Sequence, residues 1–277
     1  MTAHDHLLYV YAVLRGRPGL PAFAERLGEG PTALHHDGFT AVVERVAASD
    51  FDERPLRAHL EDLDWLAATA RTHDHVVSAL GAVTTAVPLR LATVCRDAAG
   101  VRRLLDTGRE QFAQALERLD GCLEWGVKVH RTPTAPPAPT APPAPTTPPG
   151  PADGAPAGAQ PGGKGTGRDY LRRRIEHRRT QSGDERQAAE TAGRLHEELA
   201  RHASAATLHP LQSPRLSGTT DQNVLNAAYL VRRDASQAFL DRIPAGDALP
   251  PGLRIETTGP WVPYSFAALT PGTDVRP

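Results

Sequence analysis

Apolar residues along this chain change their spacing repeatedly, and each spacing predicts an element. Residues 7–14 (L-L-Y-V-Y-A-V-L) form a nearly unbroken apolar run stopped by Arg15-Gly16. A run of this length, rich in β-formers, predicts a strand covered on at least one face. Residues 33–36 and 39–46 flank Asp37-Gly38, the pairing that suits a type I′ hairpin because both central positions need positive φ. Leu56, Leu60, Leu63, Ala67, Ala70, Val77 and Leu80 then recur at three- and four-residue steps, predicting one helical face. Asp52 or Glu53 is placed to cap that helix, Pro55 fits its first turn, and Gly81 is placed to end it. Residues 86–96 predict a strand, with Leu89, Leu91, Thr93 and Cys95 facing one way. A helix over about 101–119 closes at Gly121, and residues 122–130 read as a strand. A short helix is expected near 21–27.

Residues 132–167 alternate Ala, Pro, Thr and Gly with almost no larger apolar side chain. This composition predicts an extended, mobile insert. Residues 168–205 read as helical, with a break expected at Ser182-Gly183-Asp184 because Gly is unfavourable in a helix and Asp184 can cap a second piece. Strands follow at 206–211 and 226–232, a short helix at 235–243, and a last strand at 252–258. In residues 256–269 (E-T-T-G-P-W-V-P-Y-S-F-A-A-L), Trp261, Tyr264 and Phe266 fall close together in an aromatic-poor chain. Pro260 and Pro263 lack backbone donors, so the strand should end at Gly259-Pro260 and release an extended arm. Its rings either pack on their own domain or also offer aromatic surface to a partner.

The element order predicts an α+β protein of two ferredoxin-like (split β-α-β) domains with an extended aromatic C-terminal tail. The expected boundaries are an N-terminal domain over 1–121, a C-terminal domain over 122–258 containing the Ala/Pro/Thr-rich insert at 131–167, and a tail over 259–277. Helices are expected on one face of the first domain's mostly antiparallel sheet.

Charge and chemistry narrow the function by exclusion. The formal net charge is −1, so no overall field draws nucleic acid or a membrane surface. Lys128 and Lys164 are the only lysines, which marks an Arg-biased composition and discounts the Arg172, Arg173, Arg174, Arg178 and Arg179 cluster. No aromatic platform interleaves with those arginines, so they read as a solvated or partner-facing helix rather than a nucleic-acid site. His73-Asp74-His75 would diverge on a helix and does not read as a metal pair. Residues 158–165 (G-A-Q-P-G-G-K-G) miss the final Ser or Thr of a phosphate-binding loop and follow no strand. Cys95 and Cys122 read as buried thiols of a reducing compartment. No apolar run reaches the length of a membrane span, and no signal peptide is expected. Neither a nucleophile elbow nor a zinc motif is present, so enzymatic activity, a cofactor and a metal are not expected.

Several blocks, in order, resemble the gas vesicle GvpL/GvpF family: L-L-Y-V-Y-A-V; H-D-H-V-V-S-A-L followed by V-P-L-R-L-A-T-V; L-E-W-G-V-K-V; G-R-D-Y-L; N-A-A-Y-L-V; and T-G-P-W-V-P-Y-S-F. They span nearly the whole chain. After Arg90, where the family often carries Phe-Gly, this chain has Leu91-Ala92. The resemblance implies two α+β domains with a C-terminal tail, and a minor structural protein or assembly factor of gas vesicles. Its implied partners are the hydrophobic major shell protein and other accessory gas vesicle proteins, in the cytoplasm or on the vesicle. The first sheet, with Tyr9 and Arg90, and the aromatic arm, with Trp261, Tyr264 and Phe266, are the expected contact surfaces. The alternative is a ferredoxin-like regulatory protein that senses a small molecule between its domains.

Overall fold

In the computed structural model, residues 5–17, 30–132, 165–212 and 221–267 are described. The expected helix near 21–27, the bulk of the Pro-rich insert, the P-loop-like run up to Lys164 and the tail after Ala267 lie outside them.

The opening apolar run forms β1 (His6–Arg15), and the Asp37-Gly38 turn joins β2 (Thr32–His36) to β3 (Phe39–Ala47). Asp37 and Gly38 have φ of 43° and 85°, the positive values a type I′ turn requires. A short α1 (Ala48–Phe51) precedes the predicted long helix, which is instead two: α2 (Glu53–His59) and α3 (Leu63–Gly81). Asp52 caps α2, as expected, and Asp62 starts α3 by accepting from Asp64 N and Trp65 N. That second cap turns Leu60 and Leu63 outward, off the apolar seam the spacing assigned them.

Residues 86–96 do not make one strand. β4 (Ala86–Pro88) and β5 (Val94–Cys95) both pair with β1, and the chain between them loops out. The Arg90 carbonyl accepts from Thr93 N and Thr93 Oγ1, and Ala92 is held at φ 61°. An L-residue with a Cβ is penalised there by about 1–2 kcal/mol, and the glycine typical of the resembling sequences is not. Ala92→Gly should therefore raise the unfolding free energy by about 0.5–1 kcal/mol after the flexibility it adds to the unfolded chain is discounted. Urea titration reads the gain; a loss would show that the methyl group is needed for packing.

α4 (Ala98–Thr107) and α5 (Arg109–Leu119) replace the single predicted helix, because Gly108 lies between them and a Cβ there would meet the Phe112 ring at 2.5 Å. The second half contributes β6 (Cys122–Arg131), α6 (Gly165–Arg201), β7 (Ala205–Leu208), β8 (Gln222–Arg232), α7 (Ser236–Leu240) and β9 (Leu253–Trp261). α6 runs unbroken through Ser182-Gly183-Asp184, against the expected break. One exposed Gly costs only about 1 kcal/mol relative to Ala, and Ala188, Ala192 and Leu199 pin the helix further on.

Two sheets result, every pair antiparallel. The first has the order β2-β3-β1-β4, with β5 also on β1; the second has the order β7-β8-β6-β9. Contrary to the one-sided covering expected from sequence, the first sheet is buried on both faces. Tyr9, Tyr11 and Leu14 pack with Val76, Val77 and Leu80 of α3, whereas Val10 and Val13 pack with Leu105, Phe112 and Leu116 of α4 and α5. A bulge at Tyr11, between the pairs Val10–Val43 and Ala12–Val42, re-sets which residues face which side. The α4–α5 layer also packs against Ala228 and Leu230 of β8. Tyr229 and Val231, one step along, turn to the far face and meet Leu199 of α6 and Phe239 of α7. The layers therefore stack as helix, sheet, helix pair, sheet, helix.

Candidate interaction site at the C-terminal turn

The aromatic stretch does not leave the domain as an arm. β9 continues through the cis Gly259–Pro260 bond to Trp261, which pairs with Glu124 after a bulge opposite Glu124–Gly126. Gly259, at φ 124°, makes that crossing possible: a Cβ would stand 2.8 Å from the Glu124 carbonyl oxygen. The expectation that the strand stops at Gly259-Pro260 is thus corrected. β9 is an edge strand, where the missing Pro260 donor breaks no ladder on the open side.

After Trp261 the chain folds back along the seam between the two sheets. Val262 packs with the α3 cluster and lies so close to Gly81 that a Cβ there would approach its Cγ2 to 2.3 Å. Residues Tyr264–Phe266 form a short 3-10 turn. Ser265 donates twice to Glu124, from its backbone N to Oε2 at 2.8 Å and from its hydroxyl to Oε1 at 2.6 Å. His209 Nε2 lies 3.1 Å from the same hydroxyl, and Arg118 donates to the Phe266 carbonyl at 2.7 Å. Phe266 and Ala267 insert into the core that α4 and α5 share with both sheets. One turn therefore ties α3, α5, β6 and the loop after β7 together.

Glu124 is the least expected member. Burial pushes its carboxyl above the ordinary value, and the two Ser265 donors pull it partly back. Alternation along β6 sends Trp125, Val127 and Val129 to the α6 side and leaves Glu124 facing the turn. No sequence pattern announces this contact, because its partner lies 141 residues further on.

Beside the turn, Tyr9, Tyr11, Phe51, His73 and Tyr264 form an aromatic nest. Ring centroids are 4.6 Å apart for Tyr9–Tyr11, 5.6 Å for Tyr9–Phe51 and 6.1 Å for His73–Tyr264. The Tyr9 hydroxyl accepts from Ala92 N at 3.1 Å and shares a hydrogen bond of 2.8 Å with His73 Nδ1. Burial lowers the His73 pKa and pushes the Tyr9 phenol up to about 12.

The five residues singled out from sequence therefore separate. Trp261 is 46% exposed at the end of the edge strand, Arg90 is exposed on the β4–β5 loop, and Tyr264 is 36% exposed over His73. Tyr9, 2% exposed, and Phe266, 9% exposed, are inside. The nest joins Tyr9 to Tyr264, while Arg90 touches it only through its loop, whose Ala92 N reaches Tyr9. Among the described residues no group of three His, Cys, Asp or Glu is placed to hold a metal, and no helix is long and apolar enough to cross a membrane.

Comparison with known proteins agrees with this architecture. The model of the family described as gas vesicle synthesis protein GvpL/GvpF matches residues 7–268. Gas vesicle protein L of Streptomyces sp. (strain CB03234) is 52% identical over 267 residues, covering 96% of this chain and 94% of its own length. Gas vesicle protein F of the same strain is 24% identical over 259 residues, covering 93% and 98%. Among solved structures, GvpF from Anabaena sp. PCC7120 aligns with a TM-score of 0.63 at 16% identity, over 96% of this chain and 97% of that one. GvpF from Microcystis aeruginosa aligns with a TM-score of 0.58 at 16% identity, over 95% and 99%. With a family match across almost its full length, a relative at 52% identity and the same fold in GvpF, this chain belongs to the GvpL/GvpF family of gas vesicle proteins.

Proposed function

We propose that this chain is an L-type gas vesicle assembly factor or minor structural protein that binds the hydrophobic major shell protein and other accessory gas vesicle proteins during vesicle formation. Its identity of 52% to protein L against 24% to protein F of one strain supports the L assignment. In this reading each half is a ferredoxin-like unit, divided near residue 121, and the strand orders β2-β3-β1-β4 and β7-β8-β6-β9 favour it. The work is done in the cytoplasm, without catalysis. A subunit with one apolar face aggregates unless that face is covered before it polymerises, and an open strand edge can cover it by strand addition.

The observation that carries the proposal is Trp261. A large ring, 46% exposed, ends an edge strand whose next residues are locked by Glu124, Arg118 and the core. A rigidly held, half-exposed Trp loses little freedom on binding and suits an interface anchor. Arg90 and Tyr264 extend the surface, whereas Tyr9 and Phe266 hold it in place from within. Trp261→Ala and Arg90→Ala should each reduce capture of the major shell protein in a pull-down, the first by about tenfold or more, as for an interface anchor worth over 1.4 kcal/mol. Their circular dichroism should match the parent. Undiminished capture by the folded Trp261→Ala protein would overturn the assignment of this surface.

The small-molecule reading has one observation in its favour: a cleft of about 510 Å³ between residues 81–86 and 119–123, with Arg233, Val262 and Pro263 on its wall. Such a volume suits a metabolite. A thermal-shift screen separates the two, since a sensor gains several degrees with its ligand and an assembly protein does not.

A further inference from the structure

Two exposed patches on this chain are opposite in charge, and each carries an exposed apolar side chain. The first is the corner between α2 and α3, where Leu60, Glu61, Asp62, Leu63 and Asp64 are all exposed. Leu63 is 77% exposed, the most exposed large apolar side chain among the described residues, with Leu60 beside it at 44%. Asp62 is occupied as the α3 cap, but the Glu61 and Asp64 carboxylates make no ion pair among the described residues. This is an apolar knob flanked by unneutralised acid.

The second patch lies on α6. Arg172, Ile175, Arg179, Ser182 and Arg186 recur at three- and four-residue steps and so share one face. At 100° per residue that face is roughly 140° around the helix from the buried Ala188, Ala192 and Leu199, of which the last two pack with the sheet. It therefore points away from the body. Ile175, Arg179, Ser182, Gly183 and Arg186 line a shallow hollow of about 360 Å³. Ser182 and Gly183 are the small residues of its lining, with nothing within 4 Å of where a Gly183 side chain would be. Ile175 is 52% exposed, and neither Arg179 nor Arg186 makes an ion pair among the described residues. This is an apolar notch flanked by unneutralised base.

We propose that the occupant of the notch is a second copy of this chain, with the Leu63 knob of one molecule seated at Ser182-Gly183 of the next and Glu61 and Asp64 facing Arg179 and Arg186. Both halves of the contact are present on every molecule, and they are different surfaces. The association is thus head to tail and continues into an open chain or a ring instead of stopping at a symmetric dimer. It is independent of the shell-protein surface at Trp261, which lies on β9.

Sedimentation velocity of the full chain tests this. At low salt the average mass should rise with concentration beyond that of a dimer, and at high salt it should return towards the monomer, because exposed ion pairs are screened. Charge reversal gives the decisive comparison. The double variant Arg179→Glu, Arg186→Glu carries two acidic patches, and Glu61→Arg, Asp64→Arg carries two basic ones, so each alone should remain monomeric. Mixed in equal amounts they should associate again, since each then supplies what the other lacks. Gly183→Leu, which fills the notch without changing charge, should weaken self-association at least tenfold. All five positions are exposed, so circular dichroism should be unchanged. A parent chain that stays monomeric at every concentration in low salt overturns the proposal. So do reversed variants that self-associate as the parent does, or that fail to associate when mixed.

Discussion

Truncating Phe266 to alanine should lower the unfolding free energy by about 3–5 kcal/mol, the range for deleting a buried aromatic ring. The ring is 9% exposed and packs with α4, α5 and both sheets. Its loss leaves a cavity in the α4–α5 layer that packs against both sheets. The Arg118 bond to the Phe266 carbonyl and the Ser265 clamp on Glu124 then have to hold a turn whose anchor is gone. Trp261→Ala, five residues earlier, should cost about 0.5 kcal/mol or less, as for an exposed side chain outside the core. Denaturant titration of the two variants measures the difference. Equal losses would mean that Trp261 is structural as well, and the surface proposed for the shell protein would lose its anchor. The contrast also governs any binding experiment: reduced capture by Phe266→Ala reports unfolding of the turn, while reduced capture by Trp261→Ala reports contact.

How much of this was legible in the sequence depends on how local each cause is. The Asp37-Gly38 hairpin is set by the φ values of two residues, and both have the side chains that permit them. The break before α3 is also local, since Asp62 caps it, but the leucine spacing across residues 56–63 suggests continuity and conceals it. The β4–β5 loop is harder to read because Ala92 adopts a backbone conformation its residue type disfavours. Gly183 does not break α6, because the cost of one glycine is smaller than what the packed Ala188–Leu199 stretch contributes. The candidate site divides in the same way. Aromatic density picks out Trp261, Tyr264 and Phe266, but not which of them is outside. That is decided by Glu124, a carboxylate in an alternating strand that would face solvent if the turn did not return to it from the far end of the chain.

The position that brings the turn back is Gly259, and Gly259→Ala should cost about 3 kcal/mol or more. Two independent penalties meet there. At φ 124° the backbone lies in a region that residues with a Cβ occupy only at about 1–3 kcal/mol of strain. The added methyl would also stand 2.8 Å from the Glu124 carbonyl oxygen and 3.1 Å from the Trp125 ring. That carbonyl cannot step aside cheaply, because β6 is the central strand between β8 and β9. The entropy removed from the unfolded chain by Gly→Ala returns at most about 1 kcal/mol. Gly193→Ala is the matched control. It lies in α6 with nothing within 4 Å of its new Cβ, so it should gain up to about 1 kcal/mol. If Gly259→Ala were as harmless as the control, β9 would be free to reach Trp261 by another path. The glycine would then not be what aims that ring outward from a strand edge whose following turn stays clamped to the core.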